Sequence, residues 1–159
     1  MASSPKHALV TKLGALPIDY RDGPIDRLVR SREPNGVDFA FDALGGKSIS
    51  QCLSAVKRGG LVVGYGFLTA NSQLAQARMF FDTFVTSRLR GRRGAFYGIS
   101  LWYRRDARPF LEDLPKIFAL VAERRIEPVI TEVVPLARAR QALELLATGK
   151  VAGKMVVRF

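Results

Sequence analysis

The sequence predicts an α/β fold on a parallel sheet, from three observations. Short extended apolar runs alternate with helical windows. The connections are long enough to return a chain to the same end of a sheet, which parallel strands require. Glycines punctuate the exchanges between the two periods. Taken in order, Pro5 to Leu13 reads as a short helix with Ser4 as N-cap, Pro5 at its first position and Gly14 as its stop. Leu16 to Tyr20 is a brief extended run. After Gly23-Pro24, Ile25, Leu28 and Val29 mark the apolar face of a second helix. Val37 to Phe41 reads as a buried strand. Ser48 to Val56 reads as a helix with Ile49, Cys52, Leu53 and Val56 on one face, ended by Gly59-Gly60, and Leu61 to Val63 as the next strand. Farther on, Leu74 to Arg88 carries Met79, Phe80, Phe84 and Val85 at helical spacing, and Ala95 to Ile99 is extended. Phe110 to Glu123 is an amphipathic helix, and Val129 to Val134 is extended between two prolines. Leu136 to Leu146 is helical, Gly149 to Gly153 a turn, and Lys154 to Phe159 a last strand.

Length and composition bound the reading. At 159 residues the chain suits one domain, and 48% hydrophobic against 25% charged residues gives it enough apolar surface for a core. No repeat or linker divides it, so one compact unit is expected. A formal net charge of +11 favours anionic partners without choosing among nucleotide, nucleic acid and membrane. A single cysteine, Cys52, and a single histidine, His7, exclude an intramolecular disulfide and leave too few ligands for a usual zinc site within one chain. No apolar run reaches membrane-spanning length and the amino end has no stretch of signal-peptide type, so a cytoplasmic, membrane-free protein is expected.

Two glycine-bearing turns could approach a phosphate at strand carboxyl ends: Phe41-Asp42-Ala43-Leu44-Gly45-Gly46 and Val63-Gly64-Tyr65-Gly66-Phe67. Either could equally be a plain connection, because a GxGxxG fingerprint occurs nowhere. Cys52 reads as a buried structural thiol, Asp42 as the cap of the turn before the next helix, and His7 as exposed; no acid/base dyad is visible. Arg88, Arg90, Arg92, Arg93, Arg104, Arg105 and Arg108 are interleaved with Phe96, Tyr97, Trp102 and Tyr103. That mixture can bind single-stranded nucleic acid, but such residues more often form a solvated rim or a subunit contact.

The ordered set Leu13-Gly14-Ala15, Ile18-Asp19-Tyr20-Arg21, Gly36-Val37-Asp38, Phe41 to Gly46 and Gly59 to Gly66 resembles the nucleotide-binding half of the medium-chain dehydrogenase/reductase superfamily. Arg92 to Ile99, Ile126 to Ile130 and Gly149 to Val157 resemble its quinone-oxidoreductase-like, zinc-type branch. Nearly the whole chain is covered. The resemblance implies a partial Rossmann-type doubly wound parallel sheet lacking its first two strands, with residues 1–159 forming a truncated dinucleotide-binding domain plus the family tail and no GroES-like catalytic domain. It implies NADP as cofactor, with Ser3, Ser4 and Lys6 at the adenosine ribose and Tyr20 close by, since hydroxyl and ammonium groups without an acid suit the extra phosphate. Ala43 and Leu44 would line the adenine side, and Gly64, Tyr65 and Phe67 would approach the nicotinamide. The alternative for the first three is a helix cap and a solvated lysine, and for Tyr65 and Phe67 ordinary packing. No catalytic residue and no metal ligand is implied within this chain, the zinc ligands belonging to the other half.

The missing strands pose a physical difficulty. In the strand order 3-2-1-4-5-6, Leu16 to Asp19 and Val37 to Phe41 are separated by vacant positions at about 4.8 Å each. Buried backbone groups left unpaired there would cost on the order of 1–3 kcal/mol apiece. Direct closure of those two strands, or pairing between chains, is the expected remedy. The resulting expectation is a remnant of an NADPH-dependent quinone or enone reductase, weak or inactive alone and homodimeric through the edge at Ala95 to Ile99. The competing expectation is a non-catalytic oligomerising or nucleic-acid-binding module using the arginine-rich edge.

Overall fold

The computed structural model describes residues 1–69 and 71–159, without the side chains of residues 100–102, so Trp102 lies outside the described side chains. The chain divides into two compact units, Met1–Ala107 and Arg108–Phe159, where the sequence reads as one.

In the first unit a 3-10 turn at Ser4–Lys6 leads into α1 (His7–Lys12), and α2 follows at Ile25–Arg30. Strands β1 (Val37–Asp42), β2 (Val56–Gly64) and β3 (Arg93–Phe96) then form one sheet in the order β1-β2-β3 with both pairings parallel. Helix α3 (Lys47–Ala55) is the crossover from β1 to β2. The crossover from β2 to β3 is α4 (Gln73–Phe81), a π turn (Asp82–Thr86) and α5 (Ser87–Leu89), which together replace the single helix expected over Leu74 to Arg88.

The core follows the predicted spacing. Ile49, Cys52, Leu53 and Val56 are buried with Val62 and Met79, and Phe67, Phe80 and Phe96 pack against them. The helical face therefore holds, although Val56 is already the first residue of β2. Gly59-Gly60, expected to end the helix, lies inside that strand instead. Gly60 is needed for close approach, since a Cβ there would come within 2.6 Å of the Asp38 carbonyl oxygen, while Gly59 has open space around it and φ +78°.

Along the second crossover, Met79, Thr83 and Ser87 are fully buried at four-residue spacing. Each hydroxyl is satisfied within the helix, Thr83 Oγ1 donating to the Met79 carbonyl at 2.8 Å and Ser87 Oγ to the Thr83 carbonyl at 2.5 Å. Small side chains let the helix lie almost on the backbone of β3 at Gly94. The strand expected over Ala95 to Ile99 is displaced toward Arg93–Phe96, and Ile99 opens α6 (Ile99–Arg105), which apolar periodicity did not reveal.

The expected strand at Leu16 to Asp19 does not form, and direct closure of the sheet onto it does not occur: β1 pairs along β2 alone. Among the described residues β1 has no partner on its other edge, and beside it Phe39 is 57% and Phe41 69% exposed. Leu16 to Asp19 is instead tied to the amino end, through Ala2 N–H to the Ile18 carbonyl at 3.0 Å and through Asp19.

The second unit contains α7 (Arg108–Ala122), β4 (Ile130–Pro135), a 3-10 turn (Leu136–Arg138), α8 (Ala139–Ala147) and β5 (Lys154–Arg158). β4 and β5 form their own two-stranded parallel sheet, with Val134 opposite Val157. Val134 and Ala142 are its buried apolar side chains among the described residues. The turn before β5 needs glycine: Gly153 has φ +119°, and a Cβ there would meet the Val129 carbonyl oxygen at 2.5 Å.

Candidate functional site

The carboxyl ends of β1 and β2 meet in two interlocked turns. Asp42, 4% exposed, accepts from Ser48 Oγ at 2.6 Å, from Gly45 N–H at 2.8 Å and, more weakly, from Leu44 N–H at 3.4 Å. It is the cap that the sequence suggests. Its backbone carbonyl accepts from Tyr65 N–H at 2.8 Å, while the Leu44 carbonyl accepts from Thr69 N–H at 2.8 Å and Thr69 Oγ1 at 3.0 Å. Gly66 is the residue that permits this contact, since a Cβ would stand 2.3 Å from the Ala43 carbonyl oxygen.

A groove of about 610 Å³ runs along the unpaired side of β1, from Val37 and Ala55 at one end to these turns at the other. Tyr20, Phe39, Phe41, Leu44 and Tyr65 form much of its wall, with Ala43 between. Of the residues singled out in the sequence, Tyr20, Ala43, Leu44 and Tyr65 are therefore brought together. Gly64 is buried behind them, where a Cβ would press on Phe96 and Ile49 at 3.2 and 3.3 Å. Phe67 does not line the groove. It joins an aromatic cluster, with ring centroids 5.1 Å from Phe96 and 6.1 Å from Phe80.

Ser3, Ser4 and Lys6 sit at the amino-terminal turn. Ser3 occupies its N-cap position without a side-chain cap bond, so Ser4 is not the cap expected. Ser4 instead turns inward, donating to Asp19 Oδ2 from its amide at 2.9 Å and its hydroxyl at 2.6 Å. Arg21 closes the arrangement from Nε to Asp19 Oδ1 at 2.9 Å and from its terminal nitrogen to Ser4 Oγ at 2.8 Å. The Arg21 side chain, followed by the Ser4 hydroxyl, holds the Asp19 carboxyl well below the usual carboxylate range. An acid thus stands beside Ser4 where none was expected, and Arg21 offsets its charge. The signal was present in Ile18-Asp19-Tyr20-Arg21, but only folding brings it to Ser4.

The groove suits a flat heteroaromatic ring between aromatic and aliphatic walls. The turn at Gly45-Gly46 does not suit a phosphate: Asp42 already takes the Gly45 amide and puts a carboxylate where the anion would go. Burial, then the Asp42 charge, pushes the Cys52 thiol up to about 11, which keeps it protonated and unreactive at neutral pH. His7, half-buried rather than exposed, places Nε2 2.9 Å from the Ala2 carbonyl oxygen. Among the described residues no three His, Cys, Asp or Glu side chains are grouped to hold a metal, and Cys52 and His7 do not fit a zinc ion. Of the aromatics interleaved with the arginines, the Phe96 ring is packed against Phe67 and Phe80, whereas Tyr97 and Tyr103 are about half exposed.

A parallel α/β sheet with glycine-bearing turns at its strand carboxyl ends is an arrangement found in nucleotide-binding folds. The chain belongs to the zinc-binding dehydrogenase family of the medium-chain dehydrogenase/reductase superfamily, whose pattern it matches over residues 13–157. It is 27% identical over 165 residues to the mouse synaptic vesicle membrane protein VAT-1 homolog, covering 98% of this chain and 41% of that protein. Mouse prostaglandin reductase-3 is 24% identical, with 98% and 43% covered. Among solved structures, the quinone oxidoreductase of Coxiella burnetii superposes with a TM-score of 0.71 at 26% identity, covering 99% of this chain and 43% of that one. The chain thus spans about two-fifths of the length of these relatives.

Proposed function

We propose that this chain is the nucleotide-contacting part of an NADP-dependent oxidoreductase that reduces quinones or enones. The groove carries the reading: it gathers Tyr20, Ala43, Leu44 and Tyr65 at strand carboxyl ends in a chain of this family. Ala43, Leu44 and Tyr20 contact the adenine side, with Ser3, Ser4 and Lys6 near the ribose phosphate. Gly64 and Tyr65 approach the nicotinamide, and Phe67 supports them from the core. The nicotinamide, when bound, supplies the hydride; the residues of this chain bind and orient its nucleotide. The exposed edge of β1 is where the two further strands of a doubly wound sheet belong. The pyrophosphate cradle and the substrate enclosure lie outside these residues, so the chain by itself binds the cofactor weakly and does not turn over substrate.

Titration with NADPH, followed by its fluorescence, is expected to show saturable binding that Tyr65→Ala weakens about 2–10-fold, the size of one lost ring contact of about 0.5–1.5 kcal/mol. NADPH oxidation with quinones and enones is expected to stay at the buffer rate. Absence of binding, or robust turnover by the 159 residues, contradicts the assignment. We further propose a homodimer through the open edge of β3; light scattering at tens of micromolar is then expected to give twice 17.6 kDa, and a monomer mass rejects it.

A further inference from the structure

A second feature lies at the opposite, amino-terminal ends of the strands. Arg30 at the end of α2 and Arg90 and Arg92 before β3 converge on the segment from Ser54 to Val56, with Arg58 two residues farther on, near the start of β2. Arg30 Nε donates to the Ser54 carbonyl at 2.9 Å, Arg90 reaches Ser54 Oγ at 3.4 Å, and Arg92 Nε donates to the Val56 carbonyl at 2.7 Å. The Arg58 guanidinium lies over Gly91, 3.4 Å from where a Cβ would stand. None of the four has a carboxylate partner among the described ion pairs; the nearby Asp38 is taken by Lys57.

Carbonyls at the end of α3 favour a cation there, and that accounts for one or two guanidiniums. It does not account for four. Partial burial and the charges of Arg30, Arg90 and Arg58 push the Arg92 guanidinium below its ordinary value, so the four repel one another. Backbone acceptors fix Arg30 and Arg92 in place, which leaves preorganised N–H donors that lack a counter-charge. Their described hydrogen bonds are to backbone carbonyls and the Ser54 hydroxyl, so the donors are held by the main chain.

We propose that Arg30, Arg58, Arg90 and Arg92, none of which lines the groove, form a binding site for a compact polyphosphate anion. The ligand is a chain of phosphates, free or carried by a nucleotide. Isothermal titration of the whole chain with sodium tripolyphosphate, at fixed ionic strength, is expected to show one saturable site. Arg58→Gln with Arg90→Gln is expected to weaken it about tenfold or more, and Arg58→Gln alone about 3-fold, whereas the equally charged control Arg125→Gln with Arg140→Gln changes it less than about 2-fold. ATP competing with tripolyphosphate points to a nucleotide-borne source, and failure to compete points to the free anion; both retain the site. Equal losses in the two double variants, no saturable binding, or tighter binding of a single-stranded oligonucleotide at the same arginines overturns it. NADPH binding is expected to be unchanged in R58Q/R90Q, which separates this site from the groove.

Discussion

Gly94→Ala is expected to lower the unfolding temperature of the first unit by on the order of 10 °C or more. Gly94 lies in β3 directly under the π turn, and a Cβ there would fall 1.6 Å from the Thr83 carbonyl oxygen and 2.9 Å from Ser87 Oγ. The obstacle is backbone, which cannot rotate away as the tip of a flexible side chain can. Helix and strand must separate, exposing part of the Met79 face. Overpacking of this kind costs typically 1–3 kcal/mol and here is expected at about 3 kcal/mol or above. Gly14→Ala is the informative control. Gly14 has φ +81° and open space around its Cα, so alanine costs only the left-handed backbone conformation, about 1 kcal/mol. Thermal unfolding of both variants checks the contrast. Equal small losses would mean that the helix does not lie on β3 as closely as described.

Asp42→Ala is expected to have the second largest effect, through a different mechanism. The substitution leaves Gly45 N–H and Ser48 Oγ, both buried, without the acceptor they now share. Each orphaned donor costs about 1–3 kcal/mol, so a loss of roughly 2–6 kcal/mol is expected in chemical denaturation. Asp42→Asn, which keeps one acceptor oxygen, is expected to lose less than half as much. The same cap holds the turn that carries Ala43 and Leu44. Asp42→Asn is therefore expected to weaken NADPH binding even where it folds. Stability of D42A within 1 kcal/mol of the parent by the same bookkeeping would show that the cap is dispensable.

These two positions mark the limit of what the sequence discloses. The spacing of Ile49, Cys52, Leu53 and Val56 places α3 to within a residue, because an apolar face at helical period leaves few alternatives. The Asp42 cap was equally legible, since the residues it binds are two to six positions away. Gly94 was not legible. Its requirement comes from Thr83, eleven residues earlier, and only the packing of helix on strand creates it. The same holds for Asp19, whose partner Ser4 is fifteen residues away, and for the convergence of Arg30 with Arg90 at Ser54. Leu16 to Asp19 failed as a strand for a related reason. Its apolar run is locally extended, but a strand exists only with a ladder partner, and β1 does not pair with it. Tyr20 and Tyr65, singled out by resemblance, line the same groove as Phe39 and Phe41, which the sequence places inside a buried strand and the fold leaves exposed.

The central claim is that a nicotinamide nucleotide enters the groove at the carboxyl ends of β1 and β2. Amide chemical-shift mapping of the isotopically labelled chain during NADPH titration tests it most directly. The expected result is saturable movement concentrated at Tyr20, Ala43, Leu44 and Gly64 to Phe67, with little change in Arg108–Phe159. Movement confined to the arginines around Ser54, or no saturable movement at all, would contradict it.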